Sequence, residues 1–217
     1  MSGSRPPWAL LAAGLVLGTG CIADDVLRLG QELDGPVFLE SDGRVVIEAE
    51  SYSFSLAGSG DWRAHRWTRD AETPGEASGT GTVVALPDLD VGNARPERAP
   101  SLAYRVRFER PGTYRIWLRM WAVSGNDNSV IVGFDGVPLN LERWGARLAP
   151  PQRPWGWIGD DSDDVSSEPL RFRIDTPGER IFQMWMREDG VTVDKIVLSD
   201  DGDFVPDGLG PPESLRE

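Results

Sequence analysis

Two stretches of the chain repeat one pattern, a strand-like alternation interrupted by Pro-Gly, and this pattern constrains the fold most. In the segment 101–120, apolar side chains occupy every second position on both sides of Pro111-Gly112. The segment 170–188, "LRFRIDTPGERIFQMWMRE", repeats the same order around Pro177-Gly178. Apolar side chains at every second position of a strand lie on one face, which is buried in the sheet. Pro-Gly ends a strand. Both segments therefore predict antiparallel β structure.

Shorter runs of the same kind fill the rest of the chain, and no long helical pattern interrupts them. They are 44–51, 81–88, 128–139 with a turn at Asp135-Gly136, and 183–199 with a turn at Asp189-Gly190. The last run predicts a hairpin, because Asp-Gly favours two-residue turns. Its predicted core face comprises Met184, Met186, Val191, Val193 and Val197. The fold class expected from this series is all-β, an antiparallel two-sheet sandwich of the jelly-roll type.

The N-terminal segment predicts export from a bacterial cell. Arg5 precedes an apolar run at 9–18, which is too short to span a bilayer and fits the core of a signal peptide. Cys21, the only cysteine, follows Thr19-Gly20 and predicts a lipidated first residue of the mature protein, although a plain secreted protein with a free thiol is the alternative. The expected organisation is a lipoprotein signal peptide at 1–20, a tether at 22–43, a sandwich module at 44–210 and a frayed tail at 211–217.

Charge and residue usage exclude several classes of function. The formal net charge is −13 and no Lys/Arg block occurs, which disfavours nucleic acid, because phosphates are bound mainly by clustered basic side chains. The chain has one histidine, His65, and its one cysteine is the predicted lipid site. Phosphate-binding Gly loops, HExxH and CxxC motifs are absent from the sequence. We therefore expect no enzyme.

Three carboxylates lie in strand-like segments where the side chains are not all expected to face solvent. Asp194 follows Val193 in an apolar run, and Glu48 and Glu50 share one face of the run at 44–51. A buried carboxylate needs a cation or a set of donors. Oxygen ligands of this kind suit calcium, while a solvated strand face is the alternative.

The order of several motifs resembles that of known sugar-binding modules. "VIEAES", a Gly/Trp-rich loop, "ASGTGTVVALPD", "YRVRFERPGTYRIWLRM", "DNSVIVGFDG" and "VDKIVLSDD" follow one another. This order is similar to that of the calcium-dependent carbohydrate-binding modules of families 6 and 35. The ending "REDGVTVDKIVLSDDGDFVPDGLGPPES" resembles the C-terminal domain of glycoside hydrolase family 115. The resemblance covers residues 44–214 and implies a galactose-binding-like β-sandwich.

The resemblance also implies site residues and a function. The positions matching the calcium ligands of those modules are Glu48, Glu50 and Asp194. Their sugar sites use loop aromatics and Asn or Asp, and the matching candidates are Trp157, Trp155, Trp62, Trp67, Asn126 and Asp127. Each of these tryptophans has a second interpretation, packing of its loop onto the sandwich.

The expected function is therefore a non-catalytic module that a lipid anchor displays on a membrane of the bacterial envelope, where it binds polysaccharide. The alternative is a structural or adhesion lipoprotein that uses the same fold for protein or envelope contacts.

Overall fold

The structure, a computed structural model, describes residues 35–70, 77–139, 146–147, 155–159 and 169–217. Two short 3-10 turns, Ala49–Ser51 and Gly60–Trp62, accompany fourteen strands. The strands are β1 (Val37–Leu39), β2 (Arg44–Glu48), β3 (Phe54–Leu56), β4 (Arg66–Asp70), β5 (Thr82–Leu86), β6 (Ser101–Phe108), β7 (Gly112–Trp121), β8 (Ser129–Phe134), β9 (Val137–Pro138), β10 (Ala146–Arg147), β11 (Gly156–Ile158), β12 (Arg171–Ile174), β13 (Gly178–Met186) and β14 (Thr192–Ser199). No helix in this part of the chain is long and apolar enough to cross a membrane.

The strands form two seven-stranded sheets, which confirms the predicted two-sheet sandwich. Sheet A has the order β1-β6-β13-β8-β10, with β3 also on β6 and β9 also on β8. Sheet B has the order β11-β7-β14-β5-β4, with β12 also on β7 and β2 also on β14. Only the pairing of β1 with β6 is parallel among the described strands.

Consecutive strands of the chain mostly lie in opposite sheets. The turn at Pro111-Gly112 leads from β6 in sheet A to β7 in sheet B, and the turn at Pro177-Gly178 leads from β12 back to sheet A. The connection 187–191 also crosses, because β13 pairs with β6 and β8 whereas β14 pairs with β2, β5 and β7. The predicted hairpin at 183–199 is therefore wrong, although both of its strands exist. The turn at Asp135-Gly136 is confirmed, and both residues have positive φ, 49° and 80°.

The core lies between the sheets and its centre is aromatic. Phe134 stacks on Phe172 with ring centroids 3.8 Å apart, and Phe108 meets the edges of both rings. Tyr104 and Phe182, both fully buried, extend this cluster within sheet A. Apolar burial on this scale is the main stabilising contribution to such a fold.

Strand β14 contains a β-bulge that decides which of its side chains reach the core. The register with β7 shifts between Val193 and Lys195. An extra residue in one strand leaves two neighbours on one face. Asp194 and Lys195 therefore both lie on the outer face of sheet B, while Val193 and Ile196 enter the core. The same change of phase moves Val197 to the outer face, so its predicted core position is wrong.

The C-terminal segment crosses the outer face of sheet B. Phe204 packs there with Val46, Trp117 and Val197. The guanidinium of Arg44 lies 3.9 Å from the centre of the Phe204 ring. This outer cluster is separate from the main core.

The last residues are ordered beside β1, which corrects two predicted boundaries. The Val37 N–H donates to the Glu217 carbonyl at 2.9 Å, and the Leu39 N–H donates to the Leu215 carbonyl at 2.9 Å. The expectation of a frayed tail at 211–217 is wrong, because these backbone bonds hold the tail to the sandwich. The predicted tether at 22–43 ends too late, since Val37–Leu39 is already a strand of sheet A.

Candidate functional site

Several connections meet at one end of the sandwich and hydrogen-bond to one another. They are the loops 57–65, 87–100, 122–128 and 187–191. The Ser59 N–H donates to the Arg98 carbonyl at 2.9 Å and joins the first two loops. The Ala94 N–H donates to the Arg187 carbonyl at 3.0 Å and joins the second to the fourth. This end of the molecule is therefore one connected surface.

A groove of about 510 Å³ opens between the loops 57–65 and 87–100. It is lined by Trp62, Asn93, Arg95, Glu97 and Arg98. The Trp62 ring is partly buried and packs on the core, whereas the other four residues are exposed. Within the described part of the chain, neither groove arginine has an ion pair. An aromatic face surrounded by hydrogen-bonding groups has the chemistry that a saccharide requires.

Asp189 holds both sides of this groove from beneath. Its side chain is 0 % exposed. One oxygen lies 3.2 Å from Nε2 of His65 and accepts the Leu89 N–H at 2.7 Å, and the other accepts the Val91 N–H at 2.9 Å. His65 in turn donates its backbone N–H to the Trp62 carbonyl at 2.9 Å, and its ring meets the Trp62 ring at 5.3 Å. The one histidine of the chain therefore links the groove tryptophan to a buried carboxylate.

A buried ion pair positions Asn93. Arg187 pairs with the neighbouring Glu188 carboxylate and donates to Ser129 Oγ at 2.7 Å. Its other terminal nitrogen donates to Asn93 Oδ1 at 2.9 Å. Glu188 also accepts the Asn128 N–H at 3.1 Å, which joins the loop 122–128 to this network. Glu188 is thus fully engaged in structural contacts.

Of the predicted binding residues, Trp62 lines the groove and Trp67 does not. The Trp67 side chain is 3 % exposed and belongs to the core cluster. Its Nε1 donates to the Pro100 carbonyl at 3.2 Å. This burial corrects the expectation for Trp67, because no face of its ring is open to a ligand.

Trp155 and Trp157 do not line the groove either. Trp157 lies in β11, and its Nε1 donates to the Gly208 carbonyl at 3.1 Å. The C-terminal segment covers part of this ring so closely that a Cβ on Gly210 would lie 2.6 Å from it. Trp155 contacts the edge of Trp121 with ring centroids 5.5 Å apart. Both predicted aromatics are partly buried, so the predicted tryptophans do not all converge on one patch.

The loop 122–128 uses Asp127 for its own structure. The buried carboxylate accepts the Ser124 N–H at 2.6 Å, the Ser124 hydroxyl at 2.5 Å and the Val123 N–H at 3.1 Å. These contacts correct the expectation that Asp127 touches a sugar, since its acceptor oxygens are already engaged. Asn126 is exposed but does not line the groove.

The sequence reasoning missed four of the five groove residues: Asn93, Arg95, Glu97 and Arg98. All four lie between β5 and β6, in the stretch "LDVGNARPERAP" at 89–100. Its length was the available signal, because long loops on a rigid scaffold often carry function.

A separate cluster of three carboxylates forms at the end of β2. Glu48, Glu50 and Asp194 converge on the segment preceding β5. The Ser78 N–H donates to Asp194 Oδ1 at 2.8 Å, and the Ser78 hydroxyl lies 2.6 Å from Glu48 Oε2 and 2.9 Å from Asp194 Oδ2. The Thr80 N–H donates to Glu50 Oε1 at 2.7 Å. The three carboxylates that the resemblance named as matching positions therefore lie close together.

Two buried cations of the chain share this cluster. Arg119 Nη1 lies 2.7 Å from Asp194 Oδ2, and Lys195 Nζ lies 3.0 Å from Glu48 Oε1. Burial raises the pKa of the Glu48 carboxyl, and the hydrogen bonds from Ser78 and Lys195 oppose that rise. Three negative groups thus face two positive ones in a region with little water.

Calcium requires six to eight oxygen ligands around a common point. Glu50 Oε2 is buried and has no partner among the described residues, so one oxygen is available. The oxygens of Glu48 and Asp194 instead face Ser78, Lys195 and Arg119. Across the described ranges, no three His, Cys, Asp or Glu side chains are placed to hold a metal ion. The cluster as arranged does not fit a calcium ion shared by all three carboxylates, and calcium stays a prediction.

Solved structures and a curated relative share weak similarity with this chain. A GH26-CBM35 β-(1,4)-mannanase from Podospora anserina is 14% identical, with 76% of this chain and 29% of that one covered at a TM-score of 0.49. A family 35 carbohydrate-binding module from Clostridium thermocellum is 9% identical, with 71% and 96% covered at 0.47. The uncharacterized protein P23 of Formosa agariphila is 27% identical over 208 residues, which cover 83% of this chain and 49% of P23. The chain thus spans about half the length of this relative.

A family match covers most of the chain. The sequence model of the glycosyl hydrolase family 115 C-terminal domain matches residues 37–213. The match starts at the first residue of β1 and extends into the tail that lies beside it. It confirms the resemblance seen in the motifs, and this chain belongs to the family of glycosyl hydrolase family 115 C-terminal domains.

Proposed function

We propose that this chain is a non-catalytic carbohydrate-binding module that holds polysaccharide in the groove beside Trp62. The observation that carries the proposal is the lining of that groove, one tryptophan with four exposed hydrogen-bonding side chains, on a fold of the carbohydrate-binding-module type. The aromatic ring stacks on the apolar C–H face of a sugar, while the surrounding amide, carboxylate and guanidinium groups bind its hydroxyls.

The groove side chains are held in place before any ligand arrives. Trp62 is fixed through His65 and Asp189, and Asn93 is fixed through the buried Arg187. A fixed binding surface loses little conformational entropy on binding, which favours affinity. The two supporting networks therefore belong to the binding site, although neither needs to touch the sugar.

The carboxylates of this end of the molecule support binding without hydrolysis. Glycoside hydrolysis commonly uses two carboxyl groups about 5 to 10 Å apart across the substrate. Glu97 is the only carboxylate among the five lining residues. Asp189 and Glu188 are buried and saturated with structural hydrogen bonds. The groove thus offers a sugar one acid rather than a catalytic pair.

Replacement of Trp62 by alanine is expected to reduce polysaccharide affinity by roughly five- to thirtyfold, because stacking on one aromatic ring contributes about 1–2 kcal/mol. Isothermal titration against a polysaccharide that the natural protein binds measures the change. Trp155→Ala is the matched control, since Trp155 is outside the groove. Equal affinity of Trp62→Ala and the natural protein, with loss in Trp155→Ala, would place the sugar elsewhere.

Membrane display through Cys21 is the second part of the proposal. Residues 1–34 lie outside the described part of the chain, so the support is the sequence pattern alone. When the full chain is expressed in a bacterium, we expect it in the membrane fraction and expect Cys21→Ser to release it from that fraction. Recovery of both proteins in the soluble fraction would favour the plain secreted protein.

A further inference from the structure

We infer that two cations of the chain itself, Arg119 and Lys195, neutralise the acidic cluster in place of a metal ion, so that the fold is independent of calcium. The inference does not depend on the sugar groove. It rests on how completely each cation is bound, on what holds it, and on how β14 brings the cations to the carboxylates.

The ammonium of Lys195 uses all of its donors. Its Nζ lies 3.0 Å from Glu48 Oε1, 2.8 Å from the Leu209 carbonyl and 3.0 Å from the Pro211 carbonyl. An ammonium has three N–H groups, so this set is complete. The side chain is buried, which prevents it from turning to solvent. Lys195 is therefore a fixed positive charge.

Arg119 is held in the same manner on the strand next to Lys195. One terminal nitrogen pairs with Asp194, and Nε donates to the Gly208 carbonyl at 3.0 Å. Gly208, Leu209 and Pro211 belong to the C-terminal segment. Their carbonyls thus fix both cations over the carboxylates and cover them from water.

The bulge in β14 makes this arrangement possible. Regular alternation would place Asp194 and Lys195 on opposite faces, and one of the two charges would enter the apolar core. Because the register shifts between Val193 and Lys195, both charges lie on the outer face, where the tail covers them. The acid and its neutralising base are thus adjacent in sequence and on one surface.

A divalent ion at this place would have to displace these contacts. It would compete with Lys195 for Glu48 and with Arg119 for Asp194, and it would leave the two buried cations without their carboxylates. An unpartnered buried charge costs several kcal/mol. Glu50 is the exception, because its Oε2 has no described partner. Three carboxylates and two cations leave the cluster with one net negative charge.

The direct test is thermal unfolding of the natural protein in calcium and in EDTA, both at millimolar concentration. We expect the same melting temperature in both. A ligand at 100 times its dissociation constant stabilises a protein by about 2.7 kcal/mol, so a bound calcium would be visible. A melting temperature that rises with calcium or falls with EDTA would overturn the inference.

A pair of variants tests the role of Lys195. Lys195→Met keeps an unbranched side chain, one atom shorter, and removes its charge, and we expect its melting temperature to fall by roughly 5–15 °C. We also expect calcium to raise the melting temperature of this variant, since Glu48 then lacks its cation. Lys195→Arg keeps the charge and is expected to lose less stability and to ignore calcium.

Two results with the variants would overturn the inference. One is a Lys195→Met protein as stable as the natural protein. The other is a calcium-induced rise in melting temperature that is equal in Lys195→Met and in the natural protein. If Lys195→Met does not fold, the calcium response of Lys195→Arg and of the natural protein still decides the matter, because neither is expected to respond.

Discussion

Replacement of Asp189 by alanine is expected to lower the free energy of unfolding by about 3–5 kcal/mol and to abolish saccharide binding. The carboxylate is completely buried and accepts two backbone N–H groups as well as facing His65. Alanine leaves all of these donors unsatisfied inside the protein, where each lost partner costs about 1–3 kcal/mol.

The loss of binding follows from the connections of Asp189. His65 and the loop at 89–91 belong to the two loops that border the groove, and this carboxylate joins them in addition to the bond from the Ser59 N–H to the Arg98 carbonyl. Without it, the bond from Ser59 to Arg98 still joins the two loops, but His65 beside Trp62 is no longer fixed relative to Leu89 and Val91. We therefore expect a larger loss of affinity than the loss of stability alone would suggest.

Chemical denaturation and titration calorimetry together measure both effects. Asp61→Ala is the control, because Asp61 is an exposed aspartate of the same loop as His65. Asp189→Asn keeps the size of the side chain and is expected to be intermediate. An Asp189→Ala protein with natural stability and natural affinity would show that the loops are held by something else.

Replacement of Asp194 by alanine is the second large change, with an expected loss of about 3–5 kcal/mol. The variant leaves Arg119 buried without its carboxylate and leaves the Ser78 N–H without an acceptor. For a domain of this size, each kcal/mol lowers the melting temperature by about 2–4 °C. Saccharide affinity is expected to stay close to natural in the folded fraction, because Asp194 does not line the groove.

Thermal unfolding checks this prediction against Asp175→Ala. Asp175 pairs with Arg173 at 2.6 Å, but both side chains are about three-quarters exposed, 76% and 75%. Exposed pairs contribute little to stability, so the control is expected to melt close to the natural protein. Equal melting temperatures for the two variants would mean that the buried pair of Arg119 and Asp194 contributes no more than an exposed one.

Alternation in the sequence was sufficient to predict the longer strands, because it reports which side chains are buried, but it missed short ones such as β1 and β4. Leu102, Tyr104, Val106 and Phe108 all face the core as their spacing indicates. Alternation does not report the partner of a strand, since the inner faces of both sheets meet the same core. The segment 183–199 was therefore interpreted as a hairpin, although its two strands lie in different sheets.

Asp189 shows a second limit of local patterns. Asp-Gly commonly marks an exposed two-residue turn, and Gly190 does have a positive φ of 72°. The same dipeptide here joins two sheets, and its aspartate is buried by loops that are distant in sequence. A residue whose partners come from two distant loops carries no local signal of that role.

The proposed sugar site was only partly predictable for the same reason. The resemblance named both Trp62 and Trp67 as candidates, yet Trp62 lines the groove whereas Trp67, five residues later, is in the core. Arg95 and Arg98 had no distinguishing pattern, and they lie beside Trp62 only because the Ser59 N–H bonds the Arg98 carbonyl. The three carboxylates named from the resemblance lie together around Ser78 and Thr80, whereas the two cations beside them were not predicted.

Affinity electrophoresis against a panel of plant, algal and host polysaccharides tests the central claim most directly. We predict that at least one polysaccharide retards the natural protein, and that Trp62→Ala migrates as if that polysaccharide were absent. Free migration of the natural protein with every polysaccharide would contradict the claim and favour a structural or adhesion role for the same fold.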